Sequence, residues 1–428
     1  MTTFNAETYQ NEYLAEGATE VNAIVTVTAT GSRRREVDGP GRAAVIVIVD
    51  TSGSMSVPAR NIRAAREATC AAIDCIRDGT EFAVVAGTEV ARRAYPTDRP
   101  LAVADDDTRA AAREATGRLK ANGGTAIGAW LNLARRLFES ASGGIHHAIL
   151  LTDGQRQHET EAEFRAALAA CEGHFQCDCR GIGTDWEVHE LRQIASTLLG
   201  SVDMVADADD LVADFTAMMD AAMGKEADDV VLRLWTPKGA EVAFVRQVAP
   251  AIEDLTSRAT PSGPLSADYP TGAWGDESRD YHVWINVGAH PVGAEMAAGR
   301  VSLVVDGQVV SQALIRAVWT DDQALSTRIS REVAHYTGQT ELMEAIQDGL
   351  AARKAGDEES ATFRLGRAVQ LAAESGNTTK LELLAAIVDV EDAATGTIRL
   401  KRDVADGDEM MLDTRSTKTL RVTPAGDR

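Results

Sequence analysis

The chain has 428 residues, with 43 Lys and Arg against 65 Asp and Glu, for a net charge of −22. That balance argues against nucleic acid and against anionic membrane surfaces as partners, since both repel a protein of this charge. No stretch holds the roughly 18 apolar residues that span a bilayer, and the polar, acidic residues 1–20 lack the basic-then-apolar layout of a signal peptide, so a cytoplasmic protein is expected.

Residues 1–40 carry one strand signal, Glu20–Thr30, where Val21, Ala23, Val25 and Val27 alternate with Asn22, Thr26 and Thr28. It has no partner in its own segment and is expected to pair into a later sandwich. Arg33, Arg34 and Arg35 read as a solvated hairpin tip rather than an anion site, followed by a loop at Asp38-Gly39-Pro40-Gly41.

From residue 41 to 224 strand and helix alternate. An apolar run over 43–49 precedes a helix near 59–77, with Pro58 where helix starts tolerate proline. Strands are expected near 81–86 and 89–95, then helices near 107–120 and 126–139. Strand 147–152 leads into helix 159–171, strand 176–181 into helix 187–198, and 202–205 into helix 209–223. Such alternation implies an α/β domain: a doubly wound, mostly parallel sheet covered by helices on both faces.

Residues 225–322 change character. Strands near 230–235, 241–248, 281–287, 301–305 and 309–317, with turns at Pro237-Lys238-Gly239 and Asp306-Gly307, suggest an added antiparallel β-sandwich. Residues 323–394 form a helical region. Leu342, Ile346 and Leu350 space one helix, and Leu365, Val369 and Ala372 another, with breaks at Ala355-Gly356-Asp357 and Ser375-Gly376-Asn377. A plain bundle fits this better than one tetratricopeptide-like unit. Residues 395–428 are polar and read as a flexible tail, with Thr414, Ser416, Thr417 and Thr419 among Arg415, Lys418 and Arg421.

The five cysteines form no regular framework, which speaks against a disulfide-stapled secreted protein. Cys171, His174, Cys177 and Cys179 invite a zinc reading. Alternation along residues 176–181 puts Cys177 and Cys179 on one face of a strand, however, where they pack as small hydrophobes.

The chemistry gathers elsewhere. Asp50-Thr51-Ser52-Gly53-Ser54 follows the apolar run, so one carboxylate and two hydroxyls emerge at the C-terminal edge of a buried strand. In an open α/β sheet ligands bind at that edge, and hard oxygen donors suit Mg²⁺ or a similar divalent ion. Asn122-Gly123-Gly124-Thr125 precedes a helix and can bring the Thr125 hydroxyl to a neighbouring loop. Leu150-Leu151-Thr152-Asp153-Gly154 ends another apolar strand, which puts Asp153 on the same edge as Asp50.

Asp50, Ser52, Ser54, Thr125 and Asp153 together resemble the metal-ion-dependent adhesion site of the von Willebrand factor A (vWA) family, without a departure. Strand and helix order agrees with the family's Rossmann-like domain over residues 43–224. The resemblance implies that Ser52, Ser54 and Thr125 contact Mg²⁺ (or Mn²⁺ or Ca²⁺) directly, while Asp50 and Asp153 act through water or hydrogen bonds. It also implies one coordination position left for an Asp or Glu of a protein partner. Mg²⁺ gives up water reluctantly, which suits second-shell carboxylates.

No nucleophile or base stands ready to turn this metal into an enzyme. Ser52 occupies the place where an aspartyl nucleophile of the haloacid-dehalogenase type needs a second acid, and neither a phosphate-binding loop nor a nucleophile elbow occurs. His146 and His147 begin a strand at the opposite edge, and His158 reads as an exposed loop residue near the site. The expectation is therefore a non-enzymatic, metal-dependent protein-binding scaffold. The order of vWA domain, sandwich and helices resembles bacterial multidomain members of the family, whose genes often accompany phosphatases, kinases and phosphothreonine readers. That implies a signalling role in which Thr417 or Thr419, once phosphorylated, docks a phosphothreonine-reading domain. The alternative is an accessory subunit of an ATPase in a chelatase or remodelling complex; a metal-dependent hydrolase ranks third.

Overall fold

A computed structural model describes residues 2–31, 43–57 and 60–422. Arg33, Arg34, Arg35, the Asp38-Gly39-Pro40-Gly41 loop and Pro58 lie outside the described residues. The chain folds as two compact units, Arg33–Asp228 and Met1–Ser32 with Asp229–Arg428.

In the first unit the strand order is Val202–Val205, Gln176–Ile182, Ile145–Thr152, Ala43–Asp50, Glu81–Gly87, Ala91–Tyr95, with Ala102–Val103 also pairing to Glu81–Gly87. The five long-run strands are parallel to their neighbours, and only Ala91–Tyr95 and Ala102–Val103 run antiparallel. Ala43–Asp50 is apolar at every position but the last and buried almost throughout, as a strand covered on both faces must be. Val45, Val47 and Val49 share one core with Ile73 of helix Arg60–Cys75 and with Phe215 and Met219 of helix Leu211–Met223. Helix Ile127–Phe138 lies against Ala43–Asp50 and Glu81–Gly87. Capping boxes start two of the helices: Asp105 with Thr108, and Thr160 with Glu163. From Ala43–Asp50 the chain passes to Glu81–Gly87 on one side and later returns to Ile145–Thr152 on the other. The crevice between Ala43–Asp50 and Ile145–Thr152 is thus the topological switch point, where ligands of open α/β sheets bind.

Besides a two-stranded sheet in its helical part, the second unit holds two larger sheets. One has the order Thr3–Gln10, Glu20–Thr30, Glu277–Asn286, Glu241–Ala249, Glu253–Asp254; the other runs Thr260–Gly263, Ser266–Pro270, Val231–Trp235, Glu295–Val305, Gln308–Thr320, Tyr13–Ala15. Every neighbouring pair is antiparallel except the last. Glu20–Thr30 pairs on one side with Glu277–Asn286 and on the other with Thr3–Gln10. Thr3–Gln10 escapes a periodicity reading because only Phe4 of its eight residues is buried. Thr260–Gly263 and Ser266–Pro270 escape it for another reason: Pro261 and Gly263 suit the edge strand they lie in, and Pro270 ends the strand beside it. Asp306 and Gly307 both take positive φ, 50° and 74°, the geometry of a tight hairpin turn.

The helical part comprises Gln323–Ser326, Arg331–Lys354, Glu358–Glu374 and Thr378–Ile387, then a hairpin of Val388–Asp392 with Thr397–Leu400, then Asp406–Arg415. Asp357 and Asn377 cap the helices after the glycine breaks, accepting hydrogen bonds from Ser360 N and Lys380 N, each at 3.1 Å. Leu342, Ile346, Leu365, Val369, Leu384, Ile398 and Leu412 form one core, so three long helices, the hairpin and the last helix make a single layer-like cluster rather than a repeat array.

The expected flexible tail from Thr395 is a correction: residues up to Val422 are folded. Thr414 and Ser416 are buried. Ile252 N donates to Thr417 O at 2.8 Å, Thr419 N to Pro250 O at 3.0 Å, and the Thr419 hydroxyl to Val248 O at 2.6 Å. Arg421 donates to both oxygens of the buried Asp280, at 2.8 and 3.0 Å. Polar composition misled here because the Ser416 and Thr419 hydroxyls and the Arg421 guanidinium bond to other elements of the unit. Thr417 and Thr419 therefore sit in a docked strap, Thr417 held through its carbonyl and Thr419 through both its N–H and its hydroxyl.

Candidate metal centre

Three loops at the switch point carry the site. Asp50 ends its strand fully buried, with Oδ2 accepting from Thr152 Oγ1 at 2.5 Å and Oδ1 from Ser52 N at 2.7 Å. The turn that follows is stitched to its neighbours: Thr51 N donates to Gly87 O at 2.8 Å, Asn122 N to Thr51 O at 2.8 Å and Gly53 N to Gly123 O at 2.9 Å. Ser52 Oγ lies 2.8 Å from Ser54 Oγ, and Ser54 Oγ donates to Asp153 Oδ1 at 2.6 Å. The other Asp153 oxygen accepts from Asn61 Nδ2 at 3.0 Å.

Gly154 shows the convergence of all three loops. A carbon built in place of its missing Cβ would lie 3.0 Å from Ser54 Oγ, 3.6 Å from Thr125 Oγ1 and 3.8 Å from Asp50 Oδ2. All five sequence candidates, Asp50, Ser52, Ser54, Thr125 and Asp153, are thus brought to one place. The three hydroxyl residues, Ser52, Ser54 and Thr125, line a cleft of about 330 Å³ together with Gln155, His158 and Asp185, while Asp50 and Asp153 are buried.

Charge at the site is one-sided. Burial pushes the Asp50 carboxyl up to about 6; hydrogen bonds from Ser52 and Thr152 pull it back, and nearby Asp153 adds a like charge. Asp153 is also raised, first by burial and further by Asp185, against hydrogen bonds from Ser54 and Asn61. The groups acting on this pair are neutral donors and other carboxylates. Three hydroxyls and two carboxylates, all hard oxygens, fit a divalent cation of the Mg²⁺ class, and its charge would favour the ionised form of both acids. Ser54 donates its hydrogen to Asp153, which leaves the oxygen lone pairs available to an ion.

The other sequence candidates fall elsewhere. Cys171, Cys177 and Cys179 are buried free thiols, and among the described residues no group of three or more His, Cys, Asp or Glu side chains is placed to hold a metal, zinc at this cluster included. His147 Nε2 pairs with Asp178 Oδ2 at 2.8 Å, and His146 bonds Gly143 O and His174 O at 2.9 and 3.0 Å. His158 is an exposed residue at the cleft, and Thr125 N donates to its Nδ1 at 3.2 Å. Sequence reasoning passed over Asn61 and the role of Thr152, which hold the two carboxylates. Asn61 had one available signal, a polar side chain on the buried stripe of its helix. Among the described residues no helix is long and apolar enough to cross a membrane.

Comparison with known proteins agrees with this geometry. Residues 43–203 match the von Willebrand factor type A domain model, and residues 370–416 match the model of the von Willebrand factor type A C-terminal domain. The structure is similar to von Willebrand factor type A from Catenulispora acidiphila at 50% identity and a TM-score of 0.93, covering 98% of this chain and 97% of that one. The ArnB paralog VWA2 from Sulfolobus acidocaldarius shares the fold at 13% identity and a TM-score of 0.56, with coverage of 98% and 100%. An uncharacterized protein of Synechocystis sp., sll0103, is 26% identical over 219 residues, so the chain spans about half the length (49%) of that curated relative. With half its residues identical to those of a vWA protein along nearly the whole of both chains, this chain belongs to the von Willebrand factor A family.

Proposed function

We propose that Ser52, Ser54 and Thr125 hold a divalent cation, Mg²⁺ foremost, with Asp50 and Asp153 acting through hydrogen bonds and water, and that the centre captures an Asp or Glu side chain of a protein partner. vWA domains are generally metal-dependent protein-interaction modules and typically not enzymes. The bound ion would supply a coordination position for one oxygen of the partner's carboxylate. The chain's own part is to preset the donors: Thr152 and Ser52 N orient Asp50, and Ser54 and Asn61 orient Asp153. The observation that carries this reading is the approach of Ser54 Oγ, Thr125 Oγ1 and Asp50 Oδ2 to one point beside Gly154.

Mn²⁺ or Mg²⁺ should raise the melting temperature of the wild type and leave the Ser52→Ala/Ser54→Ala double variant unmoved, since only a folded site binds. Pull-downs from the native cell with wild type and Asp50→Ala side by side identify the partner. Identical melting curves in EDTA and in millimolar metal would sink the reading.

A further inference from the structure

Two side chains outside the five-residue motif grip the loop that presents Thr125. Gly124 N donates to Glu89 Oε2 at 2.6 Å, and Thr125 N donates to His158 Nδ1 at 3.2 Å. The carbonyl of Thr125 is held from the same side, accepting from Gln157 N at 3.1 Å and His158 N at 3.0 Å. Consecutive peptide N–H groups of residues 124 and 125 therefore point at two different loops, Glu89 on one flank and His158 on the other. Both side chains come close because Gly123 and Gly124 carry no side chain to stop them. A Cβ at Gly124 would run into the His158 ring, and one at Gly123 into the Glu89 carboxylate. Gly123 also takes φ +83°, a left-handed conformation that disfavours a side chain for a separate reason. The two glycines thus do more than let the backbone turn; they open room for two hydrogen-bond acceptors. The Glu89 carboxyl is held below its ordinary range, chiefly by the hydrogen bond from Gly124 N.

We propose that Glu89 and His158 are positioning residues for the metal centre, fixing the Thr125 hydroxyl where the ion needs it by accepting the Gly124 and Thr125 N–H groups. Neither touches the ion. Thr125 comes from a loop with two consecutive glycines, Gly123 and Gly124, so its backbone has much conformational freedom to lose and gains most from outside support. This inference rests on the proposed metal centre.

The test is Mn²⁺ affinity, followed by the electron paramagnetic resonance signal of the free ion, together with the melting temperature in EDTA. Removing an outer support of a metal ligand typically weakens binding by about 10- to 100-fold. His158→Ala and Glu89→Ala are each expected to raise the Kd for Mn²⁺ by about tenfold, with the metal-free melting temperature within a few degrees of wild type because both side chains are exposed. His158→Asn keeps an acceptor near the place of Nδ1, and Glu89→Gln keeps a carbonyl oxygen for Gly124 N. Both are expected to recover most of the affinity. Wild-type Kd in both alanine variants overturns the proposal. So does an alanine effect that the conservative variants do not rescue, which would mean charge or bulk and not the hydrogen bond. The Ser52→Ala/Ser54→Ala protein separates the two levels: if it binds Mn²⁺ like wild type, the centre itself is wrong; if it does not and His158→Ala does, only the positioning role falls.

Discussion

Asp50 in the α/β unit and Asp280 in the sandwich unit are both buried carboxylates that accept a threonine hydroxyl, from Thr152 at 2.5 Å and Thr26 at 2.7 Å. Their remaining partners differ. Asp280 takes the Tyr336 hydroxyl and both arms of the Arg421 guanidinium, so the chain supplies its own counter-charge. Asp50 takes a backbone N–H and sits beside Asp153, a second acid. A buried charge needs pairing. The sandwich unit closes that requirement internally, whereas the α/β unit leaves it at the mouth of a cleft. The contrast marks one carboxylate as architecture and the other as a place for a cation from outside.

The widest separation between the two units is expected in pH. His282, buried in the sandwich, is pushed down to about 4 by burial. Its unfolded form takes up a proton near 6.5, so this stability is complete above that pH and is lost as pH falls toward 4, about 3 kcal/mol at most. Asp50 runs the other way in EDTA. Its raised value of about 6 means that its share of stability is complete below the unfolded value near 3.8 and is lost as pH rises through 6, again about 3 kcal/mol at most. Amide exchange read peptide by peptide, with His282→Gln and Asp50→Asn as references, would show the two trends. Parallel trends would break the comparison.

Metal comes next. At a hundredfold excess over Kd, Mg²⁺ or Mn²⁺ should stabilise the α/β unit by about 2.7 kcal/mol and leave the exchange of the sandwich peptides alone. Arg421→Ala should cost the other unit about 2 kcal/mol by leaving Asp280 without its cation, less than for a fully buried pair because Arg421 is 41% exposed. The smallest effect sharpens the contrast most. Asp153→Asn in EDTA should stay within about 1 kcal/mol of wild type, since no counter-ion is stranded, while its response to metal disappears.

Legibility in the sequence follows the same division. The run over 43–49, the breaks at Gly356 and Gly376 and the hairpin turn at Asp306-Gly307 are local in origin: apolar continuity, or a backbone conformation glycine and aspartate tolerate. Thr3–Gln10 and the strap over 416–422 are not, since few of their side chains are apolar and their hydrogen-bond partners lie on other elements, Glu20–Thr30 for the strand and Pro250 and Ile252 for the strap.

At the site, chemical type and strand-end position put Asp50, Ser52, Ser54, Thr125 and Asp153 on one edge before any coordinates, because parallel strands in an alternating α/β pattern all emit their C-terminal ends on one side. What the amino-acid order could not reveal is which groups hold those donors. Asn61, Thr152, Glu89 and His158 are ordinary polar residues in the sequence; they acquire their parts only when a helix, a strand end and two loops come within 2.5 to 3.2 Å of the same few oxygens and peptide groups. Periodicity records which side of an element faces inward, and hydrogen bonding between distant elements depends on distances that folding alone creates.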